Sequence, residues 1–484
     1  MGAVLDLRPV APAAIVAVTG LVVLLAQAFA PKGKQPPSAT LSLAGLAAAF
    51  AAVVLLATGP GRGSVMAGAL AADDLSLFLH ALLLGIAAAS VLLSPSYLRT
   101  NGMERGEYYA LLLFSVVGML GLVSSLELVS LFVALEIMSI ALYGMAGMDR
   151  RRAESQESAL KYFVTGAFAS AFFLYGIALL YGVSGSTALD KVERAVAVLS
   201  SPSSSLAVLG AAMLLVGFGF KVASVPFHMW APDVYEGAPT PVTAFMSAGV
   251  KAAAFGALLR VFDSALPALA SQWRPLVAGL AIATMIVGNL AALAQSNLKR
   301  MLAYSSVAHA GYLLSALVAA PVVAGEAMLF YLVAYAAVNL GAFGTIAALA
   351  REGREPLSLR DVAGLSERRP ALAAALAVFL ISLTGIPVTA GFVGKFYLFG
   401  AAVAAGWVVL ALVGVIMSVV SAYYYLRVVV AMYMREPVGE DTWSPVSPAA
   451  AFALAVSAAL TLLLGVWPAP VLTLARLAAR SLTF

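Results

Sequence analysis

The chain has 484 residues, 62% of them hydrophobic and only 11% charged, with a mean hydropathy of +0.99; a soluble chain of this size carries roughly 25% charge, so the sequence reads as an integral membrane protein with many spans. It contains no cysteine, which excludes disulfides, iron–sulfur ligation and thiolate metal sites, and any redox centres it works with belong to partners. The net charge of +5 is read as membrane orientation, not as a nucleic-acid surface.

The first apolar run, residues 11–30, ends in small residues as a cleavable signal does. Its basic flank, Lys32 and Lys34, lies downstream instead of upstream, and the run is long, so it is read as a retained first span. Further runs long enough to cross a ~30 Å hydrocarbon core fall at 40–59, 74–94, 108–126, 128–147, 158–183, 205–227, 240–262, 275–295, 301–320, 323–350, 371–398, 403–430 and 449–470. The expectation is an all-α integral membrane protein of about 14 transmembrane helices. Spans four and five are separated by only a few residues around Glu127.

Loop charges supply a check. With the N-terminus outside and strict alternation, 16 Lys and Arg fall in cytoplasmic loops, among them Lys32, Lys34, Lys299, Arg300, Arg351 and Arg354. Only 8 fall outside, among them Arg62, Arg260 and Arg274. That bias predicts both termini on the outer side.

Four of the 28 basic residues remain inside spans: Lys161, Lys221, Lys251 and Lys395. The carboxylate nearest a span's middle is Glu136. A charge at the bilayer centre costs at least about 2.5–3.5 kcal/mol, so such residues pair, line water or move ions. The plainer alternatives are snorkelling and a static ion pair. Lys161, in ESALKYF, is about one turn into its span and suits snorkelling as well as function. Lysine suits proton relay because burial disfavours its charged form and a nearby carboxylate favours it. Glu136, in LFVALEIMSIALYGMAG, is the expected partner of Lys221. At ~4 Å and an effective dielectric of ~20 that pair is worth about 4 kcal/mol, enough for a switch. Lys251 follows on the next helix, within reach through water.

His309, in LAYSSVAHAGYLL, has Ser305, Ser306 and Tyr312 at helical spacings, which would hold ordered water. A lone histidine in an apolar helix is as readily a hydrogen-bonded packing residue. That reading is stronger for His228 and stronger still for His80. The three histidines have no metal-binding spacing, and no phosphate loop or dinucleotide glycine pattern occurs.

Two prolines break the pattern: Pro226, just after Lys221, and Pro387, just before Lys395 in ISLTGIPVTAGFVGKFYLF. Each removes a backbone hydrogen bond, and in lipid the freed carbonyl must be satisfied internally or by cavity water. Broken helices at corresponding positions of two halves mark ion pathways in transporters. Spans four to eight and nine to thirteen form two five-helix blocks, each broken at its fourth helix. Five is odd, so the blocks enter the membrane from opposite sides and are inverted repeats. The expected organisation is three N-terminal helices in 1–105, repeat one in 106–270, repeat two in 271–432, and a last helix and tail in 433–484.

The stretch KVASVPFHMWAPDVYEGAPTPVTAFMSAGVKAA resembles the antiporter-like membrane subunits of respiratory complex I. VYEGAPTP followed by SAGVK, together with NLKRMLAYSSVAHAGYLL and GIPVTAGFVGKFYLF, resembles the subunit N (ND2-like) family among them. The likeness covers most of residues 106–432. It implies proton translocation coupled to quinone reduction elsewhere in the complex, in a bacterial plasma membrane. It maps functional positions onto Glu136, Lys221, Lys251 and Lys395, with His309 in the connecting chain. Lys161 matches the lysine of the family's LKYF stretch. It also implies neighbouring antiporter-like subunits as partners, with flavin, iron–sulfur clusters and quinone held by other subunits and no cofactor in this chain. Multisubunit sodium/proton antiporters share the repeat and similar charges and stand as the alternative. A subunit whose buried charges only fix helix packing is a third.

Overall fold

In a computed structural model the described residues are 7–31, 35–59, 63–66, 68–199, 203–350, 355, 357–438 and 445–482. Lys32, Lys34, Arg62, Arg351 and Arg354, counted above as loop charges, lie outside them. The helices run α1 (Ala11–Ala28), α2 (Ser38–Thr58), α3 (Asp74–Thr100), α4 (Gly106–Ser124), α5 (Leu128–Ala146), α6 (Ala153–Ser184), α7 (Leu189–Ala197), α8 (Ser203–Val222), α9 (Trp230–Gly237) and α10 (Thr240–Leu259). They continue as α11 (Ala270–Leu293), α12 (Leu298–Ala316), α13 (Pro321–Ala348), α14 (Leu365–Arg368), α15 (Pro370–Thr384), α16 (Ala390–Ala404), α17 (Val408–Met434), α18 (Pro448–Val466) and α19 (Ala469–Ala479). One antiparallel hairpin, β1 (Gly63–Val65) with β2 (Leu70–Ala72), lies between α2 and α3.

Twelve helices among the described residues are long and apolar enough to cross a membrane. α12 has 19 residues but carries Lys299, Arg300, Ser305, Ser306 and His309, and is too polar to be counted with them. α15 and α16 have 15 residues each, about 22 Å of helix at ~1.5 Å per residue, too short to cross a ~30 Å core singly.

The chain breaks where the prolines stand. α15 ends at Thr384, Gly385 takes the left-handed conformation, and beyond Pro387 Val388 also has positive φ (71°). α8 ends at Val222, Ala223 has φ 59°, and the Val225–Pro226 peptide is cis. Positive φ at Ala or Val is sparsely populated, so both breaks are held by the packing around them.

α10 lies at the centre, with all its residues buried, against α3, α4 and α13. α13 in turn packs on α15, α16, α18 and α19. α4 packs on α5 and α11 on α12 almost backbone to backbone: a Cβ on Gly118 would stand 2.3 Å from Met138 N, and one on Gly288 2.6 Å from Ala308 N. Small residues permit such approach, and dispersion between closely packed helices replaces the hydrophobic drive that lipid does not supply. Outer helices show the opposite pattern, with Leu55, Phe168, Val409, Val419 and Phe452 exposed, as a surface facing hydrocarbon requires.

Candidate functional site

Lys221 stands in the last turn of α8 and is only 2% exposed. Its ammonium donates to Ser139 Oγ on α5 at 2.6 Å. The rings of Tyr143, Tyr162 and Phe220 each lie with their centres 5.5 Å from it, an arrangement in which ring faces attract a cation. Glu136 is on the same helix as Ser139, one turn earlier, and accepts from Ser170 Oγ on α6 at 2.5 Å. The structure therefore sets Lys221 of α8 on Ser139, one turn from Glu136 along α5, and not in a contact ion pair with Glu136; Ser139 occupies the position the carboxylate was expected to take.

The break after Lys221 is closed by protein groups. Trp230 Nε1 donates at 3.1 Å to the Phe220 carbonyl, which also accepts the Ala223 N–H, and the Val225 N–H donates to Thr284 Oγ1 at 2.9 Å. The Trp230 indole stacks on Tyr162 at 4.4 Å. These contacts satisfy orphan backbone groups that would be costly in lipid.

Lys251, in the middle of α10 and 1% exposed, donates to the Ser306 carbonyl of α12 and lies 5.4 Å from the centre of the Tyr335 ring. Tyr335 OH donates to Ser306 Oγ at 2.8 Å. One turn on, His309 meets two hydroxyls from different helices: Nδ1 with Tyr331 OH of α13 at 2.5 Å, and Nε2 with Tyr425 OH of α17 at 3.2 Å. Tyr425 OH also bonds Ser305 Oγ. Tyr312 sets its ring edge-on to His309, and the ammonium of Lys395 lies 4.8 Å from the centre of the Tyr312 ring.

Lys395, in the second turn of α16 and 4% exposed, donates to the Leu383 and Thr384 carbonyls at 2.8 and 3.0 Å and to Ser418 Oγ at 2.7 Å. Those carbonyls close α15, where the last turn has no helical partners and carries the negative end of the helix dipole. The lysine of the second half-helix thus caps the first.

Lys251, His309 and Lys395 share one hydroxyl-lined layer drawn from α10, α12, α13, α16 and α17. Of the partners expected for His309, Ser305 reaches it through Tyr425, Ser306 serves Lys251, and Tyr312 makes a ring contact. Tyr331, Tyr335, Tyr425, Ser139 and Ser418 were not singled out in the sequence. Their signal is weak: Tyr331 and Tyr335 sit one turn apart in FYLVAYAAV, and a buried tyrosine hydroxyl usually finds a partner.

Lys161 lies apart from this layer. It donates to Asp233 Oδ2 at 2.7 Å and Glu157 Oε1 at 2.5 Å, with 43% of its side chain exposed. Arg300 joins Asp233 at 2.7 Å to Glu236 at 2.8 Å. Burial would raise the Asp233 carboxyl, but Lys161 and Arg300 hold it below its ordinary value. Glu355 behaves likewise: burial pushes it up, and Lys299 with the Thr240 and Tyr97 hydroxyls hold it below the usual range.

Two residues counted as loop charges are in fact buried. Lys299 is fully buried, 3.0 Å from Glu355, and Arg260 is 1% exposed, 2.6 Å from Asp73. The two-pronged Asp73–Arg260 contact outweighs the effect of burial and holds the aspartate at about 2. The sequence reading placed both in loops because the carboxylates that hold them, Asp73 and Glu355, stand far away along the chain.

His80 bonds the Leu120 carbonyl at 3.1 Å and Ser124 Oγ at 2.9 Å. His228 lies half-buried in the α8–α9 break, its Nδ1 without a hydrogen-bond partner. Neither touches the layer. Among the described residues no cluster of three or more His, Asp or Glu is disposed to hold a metal ion.

The family model described as "NADH:quinone oxidoreductase/Mrp antiporter, TM" matches residues 125–421. The chain is 44% identical over 478 residues to NADH-quinone oxidoreductase subunit N of Trichlorobacter lovleyi, across 98% of this chain and 97% of that one. Among solved structures it is similar to a chain of respiratory complex I from Thermus thermophilus with bound aureothin, at 38% identity and a TM-score of 0.82, covering 96% of this chain and 98% of that one. A chain of the Mrp complex from Dietzia sp. superposes at a TM-score of 0.87 with 22% identity, covering 98% and 97%, a likeness of fold alone. On the strength of these matches over nearly its whole length, the chain belongs to the NADH-quinone oxidoreductase subunit N family.

Proposed function

We propose that the chain is a proton-translocating membrane subunit of an NADH-quinone oxidoreductase, carrying protons along Glu136, Lys221, Lys251, His309 and Lys395 while quinone is reduced elsewhere in the complex. One contrast carries this reading. The three deep lysines, Lys221, Lys251 and Lys395, are cradled by hydroxyl and carbonyl oxygens, whereas Lys299 and Arg260 are held by carboxylates. A carboxylate favours the charged form of a buried cation more than neutral oxygens do, so a neutral cradle releases the proton more readily as a nearby charge moves.

A proton entering from the cytoplasm charges Lys221, steadied by Ser139 and by Glu136 one turn away. A charge change in a neighbouring subunit acts on half-buried Glu136 and loosens that site. The proton passes to Lys251, then along the Ser306, Tyr335 and His309 layer to Lys395, and leaves outside. Lys161, tied to Asp233, belongs to the cytoplasmic mouth. Pro226 and Pro387 hold the breaks that set Lys221 and Lys395 at helix ends.

The architecture proposed with this function is 14 spans, with inverted five-helix repeats at 106–270 and 271–432 between the terminal segments 1–105 and 433–484. The two glycine-tight pairs, α4/α5 and α11/α12, support it. So do the matching bridges Glu127–Ala188 before α5 and Asn297–Ser358 before α12. Both termini then face the outer side of a bacterial plasma membrane. Neighbouring antiporter-like subunits are the partners, and flavin, iron–sulfur clusters and quinone belong to other subunits.

In the assembled complex, Lys221→Ala is expected to abolish pumping-linked turnover. Near-normal activity and proton yield in that variant would contradict the assignment. The matching family model, whose description also names the Mrp antiporter, supports a second reading, a subunit of a sodium/proton antiporter. NADH–quinone activity of the purified native complex separates the two.

A further inference from the structure

Between the α3–α4 turn and the α5–α6 turn lies a concavity of about 340 Å³, roughly ten times the ~30 Å³ share of one water. Arg105, Arg150 and Arg151 line it, and it extends to Leu111 in the second turn of α4 and Gly144 in the last turn of α5. All three arginines are exposed, and among the described residues none of their guanidinium groups has a carboxylate partner. Their neighbours are committed: Arg99 to Glu104 at 2.6 Å and Arg152 to Glu355 at 3.6 Å. Glu107 and Asp149 also line the pocket, but Asp149 Oδ1 accepts the Arg151 backbone N–H at 3.2 Å, and positive charge remains in excess. Gly102 supplies the left-handed turn (φ 65°) of the α3–α4 loop, and Arg151 Nη1 lies 3.7 Å from the position a Cβ on it would take, an ordinary contact distance.

A second feature leads away from the pocket. Below Gly144, α5 exposes Ile140, Ile137, Val133 and Val129. Their spacing of three and four residues places them on one face of the helix, so an apolar track runs from the pocket into the membrane. Guanidinium groups match phosphate oxygens in two-pronged contacts, and basic pockets between membrane helices hold lipid phosphates.

The geometry points to a phosphate-binding pocket formed by Arg105, Arg150 and Arg151, occupied by the phosphodiester headgroup of an anionic lipid whose acyl chain lies along the exposed face of α5. The phosphate is the shared chemistry, and free inorganic phosphate is the other source of it. The three arginines take no part in the proton relay, but the acyl track passes beside half-buried Glu136 on α5.

The assembled complex is exchanged into nanodiscs of phosphatidylcholine containing phosphatidylglycerol, and the retained phosphatidylglycerol is counted by native mass spectrometry. The wild type is expected to keep one more phosphatidylglycerol than the Arg105→Gln/Arg150→Gln/Arg151→Gln variant, and millimolar inorganic phosphate is expected not to displace it. Displacement by phosphate supports the same pocket with the free anion as occupant. Glu107→Gln keeps the arginines and removes an opposing charge, so it is expected to hold the lipid more tightly than wild type and guards against a variant that merely misfolds. Equal retention in the wild type and the triple variant, as when a partner's acidic segment fills the pocket, overturns the proposal, as does weaker retention in Glu107→Gln.

Discussion

The ammonium of Lys221 lies 2.6 Å from Ser139 Oγ, on the helical turn next to Glu136. A neutral hydroxyl therefore holds this buried cation, and the acid acts on it from one turn away. Hydrogen bonds to charged groups are worth about 1.5–3 kcal/mol. Ser139→Ala is expected to lower proton-coupled turnover of the assembled complex by about tenfold, a change of ~1.4 kcal/mol, and Ser139→Thr to restore it. Wild-type turnover in Ser139→Ala would mean that Glu136 alone governs Lys221.

The second break depends on a glycine. A Cβ on Gly391 would fall 1.9 Å from the Ser382 carbonyl oxygen, and the Gly391 N–H donates to Ser382 Oγ at 3.0 Å. Gly391→Ala must push α16 off the end of α15 and draw Lys395 from the carbonyls it caps. Overpacking of this kind costs about 1–3 kcal/mol. The expected result is reduced yield of assembled complex and a lower thermal midpoint, both checked by gel filtration and differential scanning fluorimetry.

Two acids, half-buried Asp73 and buried Asp263, are expected to respond oppositely to neutralisation. Asp73→Asn leaves the buried Arg260 guanidinium without its ion pair, a loss of about 3–5 kcal/mol. Asp263 is 4% exposed, and neither of its carboxylate oxygens has a hydrogen-bond partner. An unpaired buried carboxylate opposes folding, so Asp263→Asn is expected to leave stability unchanged or raise it. Thermal midpoints of the two variants, measured side by side, check the contrast.

Acid should destabilise the protein through its depressed carboxylates. Asp73 is held at about 2 against an ordinary 3.8, and Asp233 and Glu355 also lie below their ordinary values. In that window the unfolded chain binds more protons than the folded one, so stability rises with pH. The contribution is fully present above the unfolded values, near pH 4–5, and is lost as pH falls through the folded ones. For Asp73 it amounts to about 2 kcal/mol. The thermal midpoint is expected to be flat down to about pH 5 and to fall below it, less steeply in Asp73→Asn than in wild type.

Apolar runs and the two prolines made the helical organisation legible, and the run at 158–183 fell inside the observed Ala153–Ser184. The polar start of that helix, AESQE, was missed because hydropathy does not see a helix that extends beyond the membrane core. The buried lysines were legible as expensive charges, yet their acceptors were not. Opposite charge alone pointed from Lys221 to Glu136, and one sequence cannot rank that carboxylate against a hydroxyl one turn on. Tyr331, Tyr335 and Tyr425 were hidden because tyrosine counts as apolar in any periodicity. Lys299 and Arg260 were misplaced because Glu355 and Asp73, distant in sequence, are brought to them only by the fold.

The most direct measurement is proton translocation by the assembled complex carrying Lys251→Met, reconstituted in liposomes and driven by NADH and quinone. Met keeps the length and burial of the side chain and removes the proton-carrying group between Lys221 and the His309 layer. The expected result is intact assembly, with proton-coupled turnover lowered at least about tenfold, ~1.4 kcal/mol or more. Wild-type turnover with an unchanged number of protons moved per NADH would contradict a relay through Lys251.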